Sequence, residues 1–285
     1  MNNTTKKIKI QGVEPKKIEK EKIIKCKVQG KKYIDVIDME FNPIATVKKL
    51  SKEQYLVVST GEVKEYKKTD EKYCDDFRID NLKKTFEKLR QLIRTNFTND
   101  SKNQLFLTLT YKENMKDEKQ LYSDFDKFYK RLKYKLKNHN LEYIAVAEPQ
   151  GRGAWHFHVM LKSTNKSNLF IDNKELEKIW SNGYTDCQRL KSDDVGTYYV
   201  AYFTDLLTED NKGNKKRVKG SRLSMYPKGF KFYRCSRGIE KPKEIYLPYG
   251  ELEKQGYKNT YTNSFEILKE NGQVINKIQK ETWKK

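Results

Sequence analysis

Apolar and polar positions along the chain follow two periods, and the switches between them mark its elements. Leu82, Phe86, Leu89 and Ile93 recur at spacings of three and four, with Lys83, Lys84, Lys88, Arg90 and Arg94 between them. That pattern predicts a core-packing helix with a basic outer face, capped by Asp80. Leu105 to Tyr111 is β-branched and aromatic enough for a central strand. Phe125, Phe128, Leu132 and Leu136 form the stripe of a second helix, with Ser123 or Asp124 as its cap. Tyr143 to Glu148 and Trp155 to Leu161 read as strands, joined through a hairpin turn at Gly151-Arg152-Gly153. Asn173 to Ser181 predicts a short helix stopped by Asn182-Gly183, and Tyr184 to Leu190 a further strand. A last helix, capped by Asp193 or Asp194, runs to about Leu207. Strand, helix, strand, strand, helix, strand, helix is the ferredoxin-like plan: an α+β fold with an antiparallel sheet flanked by helices.

The two ends read differently. Residues 1–75 are Lys-rich, with β-like runs at Tyr33 to Ile37 and Gln54 to Val58; they are expected to form a small β subdomain or a basic extension along the core. Lys6 to Lys25 is a charge run of the kind found in solvated or flexible arms. Thr208 to Lys219 is polar enough for a surface loop. Arg222 to Arg237 interleaves cations with Tyr226, Phe230, Phe232 and Tyr233, which suits either single-stranded nucleic acid or a strand with a charged face. Asn271-Gly272 between apolar runs predicts a hairpin with a type I′ turn. The expected organisation is therefore 1–75, a catalytic domain at 76–240, and a C-terminal extension at 241–285.

Two groups of residues carry candidate chemistry. Because side chains alternate along a strand, His156 and His158 share one face while Phe157 and Val159 take the other. A turn centred near Arg152 sets Glu148 opposite His156, so a carboxylate and two imidazoles converge. These donor types hold Mn, Mg or Zn with positions left open; the competing reading is a half-buried strand whose histidines only make hydrogen bonds. The third histidine, His139, follows the second helix and reads as a surface residue. In the last helix, Val195, Tyr199, Phe203 and Leu206 make one buried face. Tyr198, Tyr202 and Asp205 make a second stripe about 100° round it.

Composition narrows the partner. The 285-residue chain has 60 Lys plus Arg against 39 Asp plus Glu, a net charge of +21, which favours an anionic partner and nucleic acid first. A lysine-rich genome gives the same bias. Cys26, Cys74, Cys187 and Cys235 are scattered, with no CxxC pair, as expected of a reducing cytoplasm. There is no apolar run of membrane-spanning length and no hydrophobic signal segment, so a soluble cytoplasmic protein without a membrane partner is expected. No GxxxxGK[ST] loop is present, so strand separation is expected to need a separate helicase.

Taken in order, the Phe-Leu-Thr-Leu-Thr-Tyr strand, the His-Phe-His strand and the downstream tyrosine helix resemble the three motifs of HUH endonucleases, in particular the rolling-circle replication initiators of plasmids and phages. The resemblance covers about residues 82–207 and reaches at most to about 240. It implies that His156 and His158 bind a divalent metal, Mn or Mg, with Glu148 as third ligand, and that Tyr198 and Tyr202 are the two nucleophilic tyrosines. It also implies single-stranded DNA at a replication origin as substrate, cleaved to a 5′-phosphotyrosine and a free 3′-OH. Many family members carry a lysine three residues after a tyrosine; here Ala201, Tyr202 and Asp205 stand at those spacings, so the motif does not say which tyrosine attacks. Arg152, Lys162 and Arg189 are candidate phosphate contacts. The alternatives are transfer or transposition by the same chemistry, a basic nucleic-acid-binding module without catalysis, and a metal-dependent nuclease that uses water.

Overall fold

A computed structural model describes residues 9–41, 47–51, 53–58, 61–65, 75–98, 101–150, 153–192, 194–209, 215–218, 220–227 and 229–285. The chain begins with six strands: β1 (Lys9–Val13), β2 (Ile23–Gln29), β3 (Tyr33–Met39), β4 (Val47–Lys49), β5 (Gln54–Val57) and β6 (Val63–Glu65). Then follow α1 (Asp75–Asn96), β7 (Gln104–Thr110), α2 (Glu118–Lys135), β8 (Leu141–Pro149), β9 (Trp155–Ser163), α3 (Asn173–Trp180), β10 (Thr185–Gln188) and α4 (Val195–Thr204). After these come β11 (Leu206–Glu209), β12 (Lys215–Val218), a 3-10 turn at Ser221–Met225 and β13 (Tyr233–Cys235). The chain ends with β14 (Lys243–Pro248), α5 (Glu251–Lys254), β15 (Lys258–Leu268) and β16 (Val274–Lys284). No described helix is long and apolar enough to cross a membrane.

The chain divides into two compact units, one made of residues 1–75 with 243–285 and the other of residues 76–242. In the first, a six-stranded antiparallel sheet runs β1-β15-β16-β3-β2-β14, so strands from both ends of the sequence alternate within it. Ile24, Cys26, Ile34, Val36, Leu252 and Trp283 are its core. β4, β5 and β6 form a separate three-stranded sheet. The β15–β16 hairpin forms as the sequence predicts, but with a different turn. Gly272 N–H donates to the Lys269 carbonyl at 2.9 Å and Gly272 has φ 82°, while Asn271 has no positive φ. This is a type I turn closed by a left-handed glycine, not type I′, which needs positive φ at both central residues.

The second unit carries the ferredoxin-like arrangement. Its sheet runs β10-β7-β9-β8-β13 with all neighbours antiparallel, so the four strands foreseen in sequence take the order fourth, first, third, second, with β13 added at the edge. α2 and α3 cover the Phe157 face: the Phe125 ring lies 4.8 Å from Phe157, and Phe128 meets Trp180 of α3 at 5.8 Å. α1 and α4 cover the opposite face, where Phe203 stacks on His158 at 5.4 Å and Lys162 donates to Asn96.

Boundaries shift where caps were misread. α1 starts at Asp75, so Asp80 lies within the helix and is not its cap. α2 is capped by Asp117, which accepts from Lys119 and Gln120 N–H, while Ser123 and Asp124 sit a turn inside. α4 ends at Thr204, short of Leu207, because the segment after Asp205 leaves the helix as β11. The stretch expected as a plain loop is the β11–β12 hairpin. Of the basic aromatic stretch, Tyr226, Phe230 and Phe232 are buried in the core, so these rings are not stacking platforms.

Candidate metal and tyrosine site

The β8–β9 hairpin sets the register on which the site depends. Gln150 N–H donates to Ala154 O at 2.8 Å, and Gly153 N–H to Gln150 O at 2.7 Å. Gly153 has φ 84°, a conformation open to glycine at little cost. Glu148 then lies opposite His156 and Val146 opposite His158, as the two-residue alternation requires. On the other side of β9, Thr108 of β7 pairs with His158. The cluster therefore sits on the central strands, where backbone hydrogen bonds hold it from both sides.

The side chains converge. His156 Nε2 and His158 Nε2 are 2.7 Å apart, and a carboxylate oxygen of Glu148 lies 3.1 Å from His158 Nε2 and 3.6 Å from His156 Nε2. One ligand atom from each residue falls within 4.8 Å of the others. Glu148 is wholly buried, and His156 and His158 are 7% and 1% exposed. Burial lowers the His156 pKa to about 4, and His158 is pushed well down by burial and by its neighbour. Both rings are therefore neutral near pH 7, with lone pairs available to a cation. His158 Nδ1 faces the Thr108 hydroxyl at 3.3 Å, which leaves Nε2 turned to the cluster, the arrangement usual for a ligating imidazole. Phe106 and Phe203 stack on the His158 ring from 5.3 and 5.4 Å.

The three residues fit a divalent ion. Neither oxygen of Glu148 takes an aligned hydrogen bond, and His156 Nδ1 is buried without a partner. Buried polar atoms are otherwise nearly always paired, and a buried carboxylate without partners is costly. The guanidinium of Arg222, on the 3-10 turn, contacts Glu148 as an ion pair. Nothing in the local sequence marks Arg222, because its approach depends on how the chain closes after β12. Thr108 also went unnoticed; it could be found only by pairing β7 with β9 in register.

α4 brings one tyrosine to this cluster. The Tyr202 ring meets the His158 ring edge-on at 5.1 Å and is 40% exposed. Burial of part of the ring and the nearby Tyr198 and Asp186 raise its pKa. Tyr198, 46% exposed, packs edge-on against Tyr199 at 4.9 Å. Tyr199 is buried against Phe106 at 4.3 Å, as its position on the apolar stripe requires. Asp205 does not face the tyrosines as a third member of their stripe. It is the C-cap of α4 in extended conformation, and its carboxylate accepts from Gly220 N–H at 2.8 Å.

The start of α4 is fixed as firmly. Asp194 caps it, accepting from Thr197 N–H, and Arg94 of α1 binds Asp194 and the Thr197 hydroxyl. Asp193, the other candidate cap, lies outside the described residues. Gly196 lets the helices touch: a Cβ there would come within 2.5 Å of Arg94 Cγ and 2.7 Å of the Arg90 carbonyl.

The candidate phosphate contacts do not gather at the cluster. Lys162 lies four residues beyond His158 on β9, roughly 13 Å along the strand, and donates to Asn96 at 2.9 Å. Arg189 is occupied by the Lys102 and Gln104 carbonyls and by Asn168. Arg152 lies outside the described residues. His139 faces the Ser163 hydroxyl at 3.1 Å.

Residues 104–207 match the family described as replication-associated protein ORF2. That span runs from β7 through the β8–β9 hairpin to α4 and so includes all three motifs on which the resemblance to replication initiators rests. No curated protein and no solved structure matches the chain.

Proposed function

We propose that the protein starts rolling-circle replication by nicking and rejoining single-stranded DNA at its origin through a covalent tyrosine link. The observation that carries this reading is the Tyr202 ring set against His158 of a buried, incompletely satisfied Glu-His-His cluster, inside a segment that matches replication-associated proteins.

Glu148, His156 and His158 would hold a divalent cation, Mn or Mg. When bound, it supplies Lewis acidity, drawing charge from the scissile phosphate. The protein's own residues do the rest. The sheet orients the two imidazoles, and Thr108 holds the His158 ring in place. Tyr202, nearest the cluster, is the first nucleophile. Its phenol proton is lost as the oxygen bonds to phosphorus, and the bond from phosphorus to the 3′ oxygen breaks. That oxygen leaves protonated as a free 3′-OH. A tyrosine with a raised pKa is a weak nucleophile at neutral pH, so activation must come at the phosphate rather than from free phenolate. The link conserves the phosphodiester, and the 3′-OH can reverse the step or prime synthesis. Tyr198, one turn earlier and exposed beside Tyr199, is placed to take a second strand. The net charge of +21 draws the DNA in, and unwinding falls to a separate helicase.

The test is a denaturing gel of the full chain with end-labelled single-stranded DNA from its own replicon, in Mn or EDTA. A metal-dependent protein-DNA adduct is expected, lost in His156→Ala and reduced most by Tyr202→Phe. Cleavage without an adduct would establish a water-using nuclease instead. Binding without cleavage would leave a nucleic-acid-binding module.

A further inference from the structure

We propose that Arg222 is a built-in counter-cation for Glu148, which it yields to the metal on binding and then turns to the DNA phosphate; this rests on reading Glu148, His156 and His158 as the metal centre. Glu148 is fully buried and takes no aligned hydrogen bond. Its ion-pair neighbours are the two imidazoles and Arg222. Burial keeps both imidazoles neutral, so the guanidinium alone among these neighbours supplies positive charge. A metal ion on the same carboxylate would meet that charge at close range, and two cations on one buried anion repel.

The backbone beneath Arg222 is rigid, while its head is held on one side. Gly220 N–H is bonded to Asp205 at the end of α4, Leu223 N–H bonds the Gly220 carbonyl at 3.1 Å, and Leu223 and Tyr226 are buried. The Arg222 side chain is 24% exposed, and its Nε is buried without a partner, as is the Tyr226 hydroxyl. Arg94 differs, being held by both oxygens of Asp194 and by Thr197. Arg222 is thus on a fixed turn with a head that can be released. A released guanidinium at the mouth of a site that receives a phosphodiester has a planar fork suited to phosphate. Because Asp205 ties this turn to α4, the released arginine stays beside Tyr202. The turn lies beyond the 104–207 family match, so this device belongs to the surrounding chain.

The test is calorimetric titration of Mn into the full-length, DNA-free protein, comparing wild type, Arg222→Gln and Arg222→Lys. If metal and guanidinium compete, Arg222→Gln binds Mn about tenfold more tightly, and Arg222→Lys, with its charge kept but its fork lost, falls between it and wild type. In a Tyr198→Phe, Tyr202→Phe background that stops cleavage, Arg222→Gln should weaken Mn-dependent binding of single-stranded DNA and lower its salt slope by about one. Unchanged or weaker Mn binding in the arginine variants overturns the inference while leaving the metal centre standing. Should Arg222→Gln fail to fold, Arg222→Lys decides by the same sign. Absence of Mn binding in every protein overturns the metal centre and the inference together.

Discussion

Each unit buries a glutamate on a central strand, and the two are handled in opposite ways. Glu281, 3% exposed on β16, is fully answered: it accepts from Trp283 Nε1 at 2.7 Å, Gln279 Nε2 at 2.8 Å and the Tyr249 hydroxyl at 3.0 Å. Glu148, wholly buried on β8, has no aligned hydrogen bond and faces two neutral imidazoles and one guanidinium. A closed network leaves a carboxylate no capacity for a ligand and makes it a structural element. An open one is tolerated only at a cost in stability, a pattern expected of functional sites. Burial alone does not separate the two residues; the count of donors aimed at each does.

The comparison breaks most sharply at the nucleophile. Tyr198→Phe with Tyr202→Phe should reduce adduct formation by about a thousandfold or more, roughly 4 kcal/mol of barrier. Binding of single-stranded DNA, measured by anisotropy, should change less than about twofold. Surviving cleavage would sink the tyrosine reading.

The next effect sets the two glutamates directly against each other. Glu281→Ala leaves buried donors on Trp283, Gln279 and Tyr249 and should cost about 2–4 kcal/mol in denaturant unfolding, with adduct formation per folded molecule unchanged. Glu148→Gln should abolish Mn binding by calorimetry, with a melting temperature equal to or above that of wild type. Equal stability losses in both would erase the distinction.

Acid sharpens it further. His156 titrates near 4 in the folded metal-free protein and near 6.5 when unfolded. As pH falls from 6.5 towards 4, the unfolded state takes up the proton first, so stability is complete above that window and declines within it. The slope is about 1.4 kcal/mol per pH unit for each such histidine. Unfolding curves at stepped pH should show it, and His156→Gln should flatten it; an unchanged slope in that variant would contradict burial as the cause.

The smallest expected effect is at the supporting hydroxyl. Thr108→Val removes the partner of His158 Nδ1 and should weaken Mn binding about tenfold, with stability little changed.

Much of the site was legible because it rests on short-range geometry. A strand's two-residue period put His156 and His158 on one face, and a turn centred at Arg152 was enough to set Glu148 opposite His156. The tyrosine helix was equally readable, and so was the buried place of Tyr199. Asp205 was misplaced because a helical wheel assumes the helix continues, whereas the chain turns out after Thr204. Asp80 and Ser123 were misread as caps because capping residues are common and only backbone conformation selects among them. Tyr226, Phe230 and Phe232 looked like exposed rings, since alternation with cations does not reveal which side of a strand meets the core.

By itself, then, the sequence determined the elements of the central unit, their order, the convergence of the two histidines with Glu148 and the stripe of Tyr198 and Tyr202, all through periods of two and 3.6 residues that need no distant partner. The tertiary structure alone decided the rest. It placed Tyr202 rather than Tyr198 against His158, it brought Arg222 to Glu148, and it wove strands from both chain ends into one sheet. These depend on contacts between residues far apart in sequence, and local propensity carries no record of such pairings.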